Sequence, residues 1–279
     1  MRFGSTDIDF SRKVCIMGVI NVTPNSFSDG GQFLDRSKAV EHGLLLAGEG
    51  ADILDVGGES SRPGADPVSA DEEIRRVVPV IEALCKVTHV PISIDTAKSS
   101  VAEAALDAGA SMVNDISAME GDPGMAELAA RRKCVVCLMH MKGTPKTMQK
   151  APRYDDAAQE ILRYLGGRVD FAVKAGIDKE RIVVDPGIGF GKRLEDNLVL
   201  LNRLDLFKNI GCPILVGTSR KSFIGALLHE AKPKDRLYGT LGSIAVAVMR
   251  GANAVRVHDV KPVKEMLDVM AAITGESRA

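Results

Sequence analysis

The chain has 279 residues, 45% of them hydrophobic, and 36 Lys and Arg against 37 Asp and Glu leave a net charge of -1. That balance fits a globular protein with a sizeable core and argues against a general nucleic-acid or membrane-surface partner, so any anionic ligand must meet a local cluster of cations. No run reaches the ~20 apolar residues of a membrane helix, the first ten residues lack the pattern of a signal peptide, and five cysteines without a framework read as reduced thiols in the cytoplasm.

In chain order, Met1–Arg12 is a short leading segment before the first apolar run. Apolar, β-rich runs then recur at Val14–Ile20, Ile53–Val56, Ile92–Ile94, Met112–Val113, Val135–Met139, Ile182–Val184, Ile214–Val216 and Ala254–Val257. They show little polar alternation, as expected of parallel strands buried on both faces. Segments of helical period lie between them. Val40, Leu44 and Ala47 mark the first helix. Asp71–Cys85 puts Ile74, Val77, Val78, Ile81 and Leu84 on one face, with Ser69 and Glu72 as a capping box and a kink expected at Pro79. Lys261–Ala271 aligns Val263, Met266, Leu267 and Met270, with Pro262 in its first turn.

Eight strand–helix units of roughly 35 residues fit a (β/α)8 TIM barrel, an α/β fold, as one domain over 1–279 with residues 1–12 capping the barrel bottom. An open doubly wound sheet is the other arrangement that alternates strands and helices, but eight units without a linker favour closure. Cys134 and Cys137 lie three apart in a strand, so their sulfurs diverge and a metal or redox pair is not expected. Two Gly- and Pro-rich connections after strands, Thr23–Asp35 and Gly57–Ser69, are longer than the others and suit lids on the catalytic face.

Every strand ends in polar or ionisable residues: Asn21, Asp55, Asp95, Asn114-Asp115, His140, Asp185, Thr218–Ser222, and Arg256 with His258. A single Asp there can simply serve a turn, but closure gathers all eight ends into one bowl. Asp95, Asn114 and Asp185 offer acceptors for a planar amidine-like edge. Arg62, Arg220, Lys221, Arg256 and His258 form a cationic sector, with Asn21, Ser61 and Gly-rich backbone suited to a phosphate or diphosphate and Mg²⁺. Structural salt bridges are the alternative for these charges. Gly187, Gly189 and Gly191 have the wrong spacing for a dinucleotide fingerprint and are expected to let backbone approach a flat ligand. Lys221 is also placed for a Schiff base. His42, His89 and His229 fit surface or packing positions, while His140 stays open.

The segments Asn21–Gly31, Asp55–Gly64, Ser93–Thr96, Asn114–Ile116, Asp185–Lys192, Ser219–Ser222 and Arg256–Asp259 closely resemble dihydropteroate synthases, in that family's order and over nearly the whole chain. The resemblance implies a TIM-barrel homodimer that joins 6-hydroxymethyl-7,8-dihydropterin diphosphate to p-aminobenzoate, and a target for sulfonamides. By motif it assigns Asp95, Asn114, Ile116, Met139, Asp185, Phe190, Gly217, Lys221 and Arg256 to the pterin, with Asp95, Asp185, Lys221 and Arg256 catalytic. Asn21, Ser61, Arg62, Arg256 and His258 fall to the diphosphate, with Asn21 as the Mg²⁺ ligand. Phe27, Ser61, Arg62, Pro63, Lys221 and Ser222 fall to p-aminobenzoate. The implied mechanism is dissociative, which accounts for the absence of a dedicated nucleophile.

Ser61, Lys142 and Asp196 depart from that family's usual Thr, Gln and His. Competing expectations are a methyltetrahydrofolate-binding corrinoid methyltransferase, a Schiff-base aldolase using Lys221, and a pterin-binding protein without turnover.

Overall fold

The computed structural model describes residues 1–22, 31–229 and 231–275, and of residues 31–35 the backbone alone. A two-stranded antiparallel hairpin, β1 (Arg2–Phe3) and β2 (Thr6–Asp7), precedes eight parallel strands. These are β3 (Cys15–Asn21), β4 (Ile53–Gly57), β5 (Ile92–Asp95), β6 (Met112–Asp115), β7 (Val135–Met139), β8 (Ile182–Asp185), β9 (Leu215–Val216) and β10 (Ala254–Val257). The sheet order is β8-β7-β6-β5-β4-β3-β10-β9. A parallel bridge between Val184 and Ile214 joins its two edges, supported by the Val184 N–H donating to the Pro213 carbonyl at 2.9 Å. The sheet is therefore a closed barrel and not the open alternative.

Period-two alternation fixes what each strand position faces. Cys15 and Met17 of β3, Ile53, Met112, Val135, Cys137, Val183, Leu215 and Ala254 point inward and form one cluster with Phe3, Ile8 and Phe10 from the leading segment. The first residues thus plug the barrel bottom with two aromatic rings, 6.3 Å apart between centroids. Ile16, Ile20, Leu54, Val56, Val113, Val136, Val184 and Val255 point outward, under the helices. Cys134 belongs to the outer cluster and Cys137 to the inner one, and both are free thiols.

The helices are α1 (Gly31–Gly48), α2 (Ala70–Val87), α3 (Ser99–Asp107), α4 (Gly124–Arg132), α5 (Ala157–Lys174), α6 (Leu194–Asn202), α7 (Ser222–Leu227), α8 (Leu237–Met249) and α9 (Val260–Thr274). None of those described is long and apolar enough to cross a membrane.

Two local expectations are corrected. The buried stripe of α1 is Ala39, Gly43 and Leu46; Leu44 is exposed, and Val40 and Ala47 are half-buried. Gly43 decides this, since a Cβ there would lie 2.7 Å from Leu84 and 2.9 Å from Ile20, so the helix turns its smallest residue toward the closest contact. At α2, Ser69 accepts the Glu72 N–H at 3.3 Å, but the Glu72 carboxylate goes to Arg76 at 2.7 Å, leaving half of the capping box. Helix α2 spans Ala70–Val87 with Pro79 inside it.

Candidate active site

Above the apolar layers the inward positions become polar. Asp55 of β4, Asp95 of β5, Asn114 of β6 and Arg256 of β10 share the parity of the residues that fill the barrel below them. Arg256 donates from Nε to Asp55 Oδ2 at 2.6 Å and from Nη2 to Asp95 Oδ2 at 2.7 Å. Asn114 donates its amide N–H to the same Asp55 oxygen at 3.1 Å. Asp55 is fully buried, and its Oδ1 has no hydrogen-bond partner among the described residues. Burial opposes the charge on Arg256, but Asp55 and Asp95 outweigh it and hold the guanidinium above its ordinary pKa. Burial pushes the Asp95 carboxyl up, with Arg256 pulling the other way.

Across the mouth, Asp185 ends β8 and accepts the Gly187 N–H on Oδ1 at 2.7 Å. Burial raises its pKa, opposed first by Lys221 and then by the Gly187 bond. Lys221 donates to the Ile188 carbonyl and holds Nζ 4.6 Å from the Phe190 ring centre, a cation–π contact. Burial lowers its ammonium to about 8, with Asp185 as the main opposing charge.

One cavity lies between these groups. Asp95, Asn114, Ile116 and Met139 form part of its wall, and Asp185, Phe190, Gly217, Lys221 and Arg256 form the rest with Val19, Ser61, Ser219 and His258. Every residue that the motifs assign to the pterin therefore faces the same space. Its wall combines two buried carboxylates, an amide, two cations and an aromatic ring, a donor and acceptor set suited to a flat polar heterocycle.

The outer positions are less concentrated. Ser61 lines the cavity, whereas Arg62, Pro63 and Ser222 are exposed neighbours of Ser61 and Lys221. Asn21 is half-buried at the end of β3. Phe27, and with it most of the 23–35 connection, lies outside the described residues. The other long connection is tied at its base by Lys98, whose Nζ reaches Glu59 at 2.6 Å and buried Glu73 at 2.5 Å. Its middle meets the next loops through Gly64 N–H to the Pro145 carbonyl at 3.0 Å and Lys146 to Asp66 at 2.9 Å.

Several candidate roles change. Arg220 leaves the cationic sector: it pairs with Asp259 through two bonds of 3.0 and 2.5 Å. His258 is neutral, because burial first, and then the charge of Arg256, lower its pKa to about 3. Its Nδ1 lies 3.0 Å from Ser219 Oγ. Asp115 points away from the bowl and serves a turn, accepting from Ser117 and Met119. The three glycines of the β8 loop all have positive φ, and at two of them the space a side chain would take is filled by protein backbone. A Cβ at Gly187 would collide with the His140 carbonyl, and one at Gly191 with that of Lys142. At Gly189 a Cβ would lie 3.1 Å from Lys221 Cδ. Of the other histidines, His89 and His229 are exposed and His42 is half-buried, consistent with surface and packing positions.

Lys142 and Asp196 have local partners. Lys142 donates to the Arg153 carbonyl and stands 4.2 Å over the Tyr154 ring. Asp196 accepts from the Arg193 backbone at 2.9 Å and from its guanidinium, capping α6. Asp55, Ser219 and Lys192 are among the residues to which the motif reading gave no role. Strand parity would have singled out Asp55, which lies two residues beyond inward-facing Ile53.

A Mg²⁺ ion would find few protein ligands: the described residues contain no group of three His, Cys, Asp or Glu placed to hold a metal. Mg²⁺ commonly keeps several waters and is bound through substrate phosphates with one or two protein oxygens. The single amide oxygen of Asn21 at the barrel mouth fits that pattern.

Residues 17–258 match the family model described as pterin binding enzyme. The dihydropteroate synthase of Escherichia coli K12 is 48% identical over 267 residues, covering 96% of this chain and 94% of the relative. The Yersinia pestis dihydropteroate synthase, solved with a sulfonamide drug complex, superposes with a TM-score of 0.93 at 42% identity over 99% of both chains. The Xanthomonas albilineans dihydropteroate synthase with 4-aminobenzoic acid gives 0.89 at 46% identity, over 94% of this chain and 93% of that one.

Proposed function

The chain belongs to the dihydropteroate synthases among the pterin binding enzymes, and we propose that its barrel mouth makes 7,8-dihydropteroate as follows. The pterin enters the cavity between Asp95, Asn114, Asp185, Lys221 and Arg256 with Phe190 beside its ring. Asp185 accepts from the amino-pyrimidinone edge and Lys221 donates to the carbonyl. The observation that carries this reading is the convergence of those groups from five separate strand ends on one buried cavity.

The bond between the pterin methylene carbon and the diphosphate oxygen breaks first, and the diphosphate leaves with the bonding pair. Arg62, Arg256 and His258 receive it at the rim. Mg²⁺, held by Asn21 and the diphosphate, would supply charge neutralisation for the leaving group. Asp95 and Asp185 set negative charge beside the cation that develops on the dihydropterin, where a low-dielectric site makes it most effective. The arylamine nitrogen of p-aminobenzoate then bonds to the methylene carbon and releases one proton. Phe27, Ser61, Pro63 and Ser222 enclose that second substrate. No side-chain nucleophile is required, so Lys221 acts by charge and hydrogen bonding and not through a Schiff base.

The corrinoid methyltransferase alternative is not supported, since the relatives matched over nearly the full chain are synthases. We place the enzyme in the cytoplasm, in keeping with its five free cysteines. We also propose a homodimer, for which exposed Tyr238 and Met249 on α8 and Val269 and Ile273 on α9 supply apolar surface. The deciding experiment supplies 6-hydroxymethyl-7,8-dihydropterin diphosphate, p-aminobenzoate and Mg²⁺ and follows diphosphate and dihydropteroate by chromatography. Stoichiometric products are expected; pterin binding without product would overturn the reading.

A further inference from the structure

Lys192 closes the Asp185–Lys192 loop, is 3% exposed, and has no part in the steps above. Its Nζ lies 2.9 Å from His140 Nδ1, 2.9 Å from the Phe190 carbonyl and 3.3 Å from the His140 carbonyl. Among the described residues no carboxylate pairs with it. A buried ammonium held only by neutral acceptors is costly, and burial accordingly draws its pKa well below the ordinary lysine value. His140 supplies a neutral acceptor because burial, then Lys192 itself, keeps the imidazole from protonating.

These contacts all lead to the pterin cavity. His140 follows Met139 of the cavity wall, and its N–H donates to the Asp185 carbonyl at 3.0 Å. Its own carbonyl is the atom that Gly187 presses against. The Phe190 carbonyl belongs to the residue whose ring lines the cavity. The same loop is held elsewhere by neutral groups: Tyr154 Oη donates to the Gly191 carbonyl at 2.7 Å, and Asn197 accepts the Gly189 N–H at 2.6 Å. Lys192 adds three bonds to this set, two to His140 and one to the Phe190 carbonyl.

We infer that Lys192 is a positioning residue for the pterin: through His140 and the Phe190 carbonyl it sets the loop that presents Asp185 and the Phe190 ring. The inference rests on the assignment of Asp185 to the pterin. The charges that face Asp185 are Lys221, Lys192 and Arg256, all three favouring its ionised form, while burial opposes it. Removing Lys192 therefore raises the pH below which Asp185 stops accepting from the pterin.

The test uses the full-length enzyme with K192M and K192Q. Affinity for 6-hydroxymethylpterin is measured by calorimetry from pH 5.5 to 9, together with the KM of p-aminobenzoate and the melting temperature. K192M should bind the pterin at least tenfold more weakly at pH 7, with K192Q intermediate because it keeps a donor. In both, the acid limb of binding should move to higher pH, with the KM for p-aminobenzoate within twofold of wild type. A pterin affinity within twofold of wild type and an unmoved acid limb, with only a lower melting temperature, would overturn the inference. If K192M does not fold, K192Q decides on the same readouts. A wild-type enzyme that fails to bind the pterin would overturn the assignment of the cavity and this inference with it.

Discussion

Asp55 and Arg256 stand 201 positions apart in the chain and share a 2.6 Å hydrogen bond at the mouth of the barrel. Asp55 is fully buried below the cavity while Arg256 lines it, so a residue with no place on the wall aims one that does. The same Asp55 oxygen takes a bond from Asn114, fixing a second cavity residue.

Asp55→Asn should therefore impair the site as well as the fold. Stability should fall by about 2 kcal/mol, less than the ~3–5 kcal/mol of breaking a fully buried pair, because Asp95 still holds Arg256. Urea unfolding measures this term, and steady-state kinetics should show kcat/KM for the pterin diphosphate reduced at least tenfold. Unchanged kinetics would mean that Asp95 alone orients Arg256.

Asp185→Asn replaces a charged acceptor by an amide of the same shape. Pterin binding should weaken by roughly 1.5–3 kcal/mol, the range for a hydrogen bond to a charged group. Calorimetry with 6-hydroxymethylpterin checks this, and affinity near the wild-type value would remove Asp185 from the pterin site.

Lys221 gives a signature in pH. Its ammonium is depressed from an ordinary 10.5 to about 8 in the folded protein, first by burial. Between those values the unfolded chain holds a proton that the native state has released, so stability rises with pH from about 8 to 10.5. Below about 8 the burial cost of the charge is fully present. Urea unfolding at pH 7, 9 and 10 should show this slope in the wild type and lose it in Lys221→Met. Pterin binding should move oppositely, weakening above pH 8 as the donor loses its charge.

Gly187→Ala should disturb the site from behind. With φ at +68° and the His140 carbonyl in the path of a Cβ, the loop must shift. Backbone strain of this kind costs on the order of 1–3 kcal/mol, measurable as a lower melting temperature. The displaced Asp185 and Phe190 should raise the KM of the pterin diphosphate more than that of p-aminobenzoate.

Chelation with EDTA should slow diphosphate release, and added Mg²⁺ should restore it. Asn21→Ala should raise the Mg²⁺ concentration needed for half-maximal rate without weakening binding of a pterin that lacks diphosphate. An unshifted Mg²⁺ requirement would remove Asn21 as the ligand.

What the sequence determined by itself was the alternation of eight apolar runs with helical segments, the polar ending of every strand and the motifs that sit there. These are local properties: strand burial on both faces erases polar alternation, and a polar residue after such a run has nowhere to go but the rim. Asp95, Asn114, Asp185, Lys221 and Arg256 were legible for that reason. Only the tertiary structure decided which charges are free to meet a ligand. Arg220 and Asp259, 39 residues apart, neutralise each other, and His258 loses its charge to burial beside Arg256. Gly187 and Gly191 of the β8 loop answer to the His140 and Lys142 carbonyls of the neighbouring loop. The α1 stripe turned on the space beside Gly43, which periodicity does not register. The positioning contacts of Asp55 and Lys192 were likewise unreadable in one dimension, because both depend on strands and loops that closure of the barrel brings together.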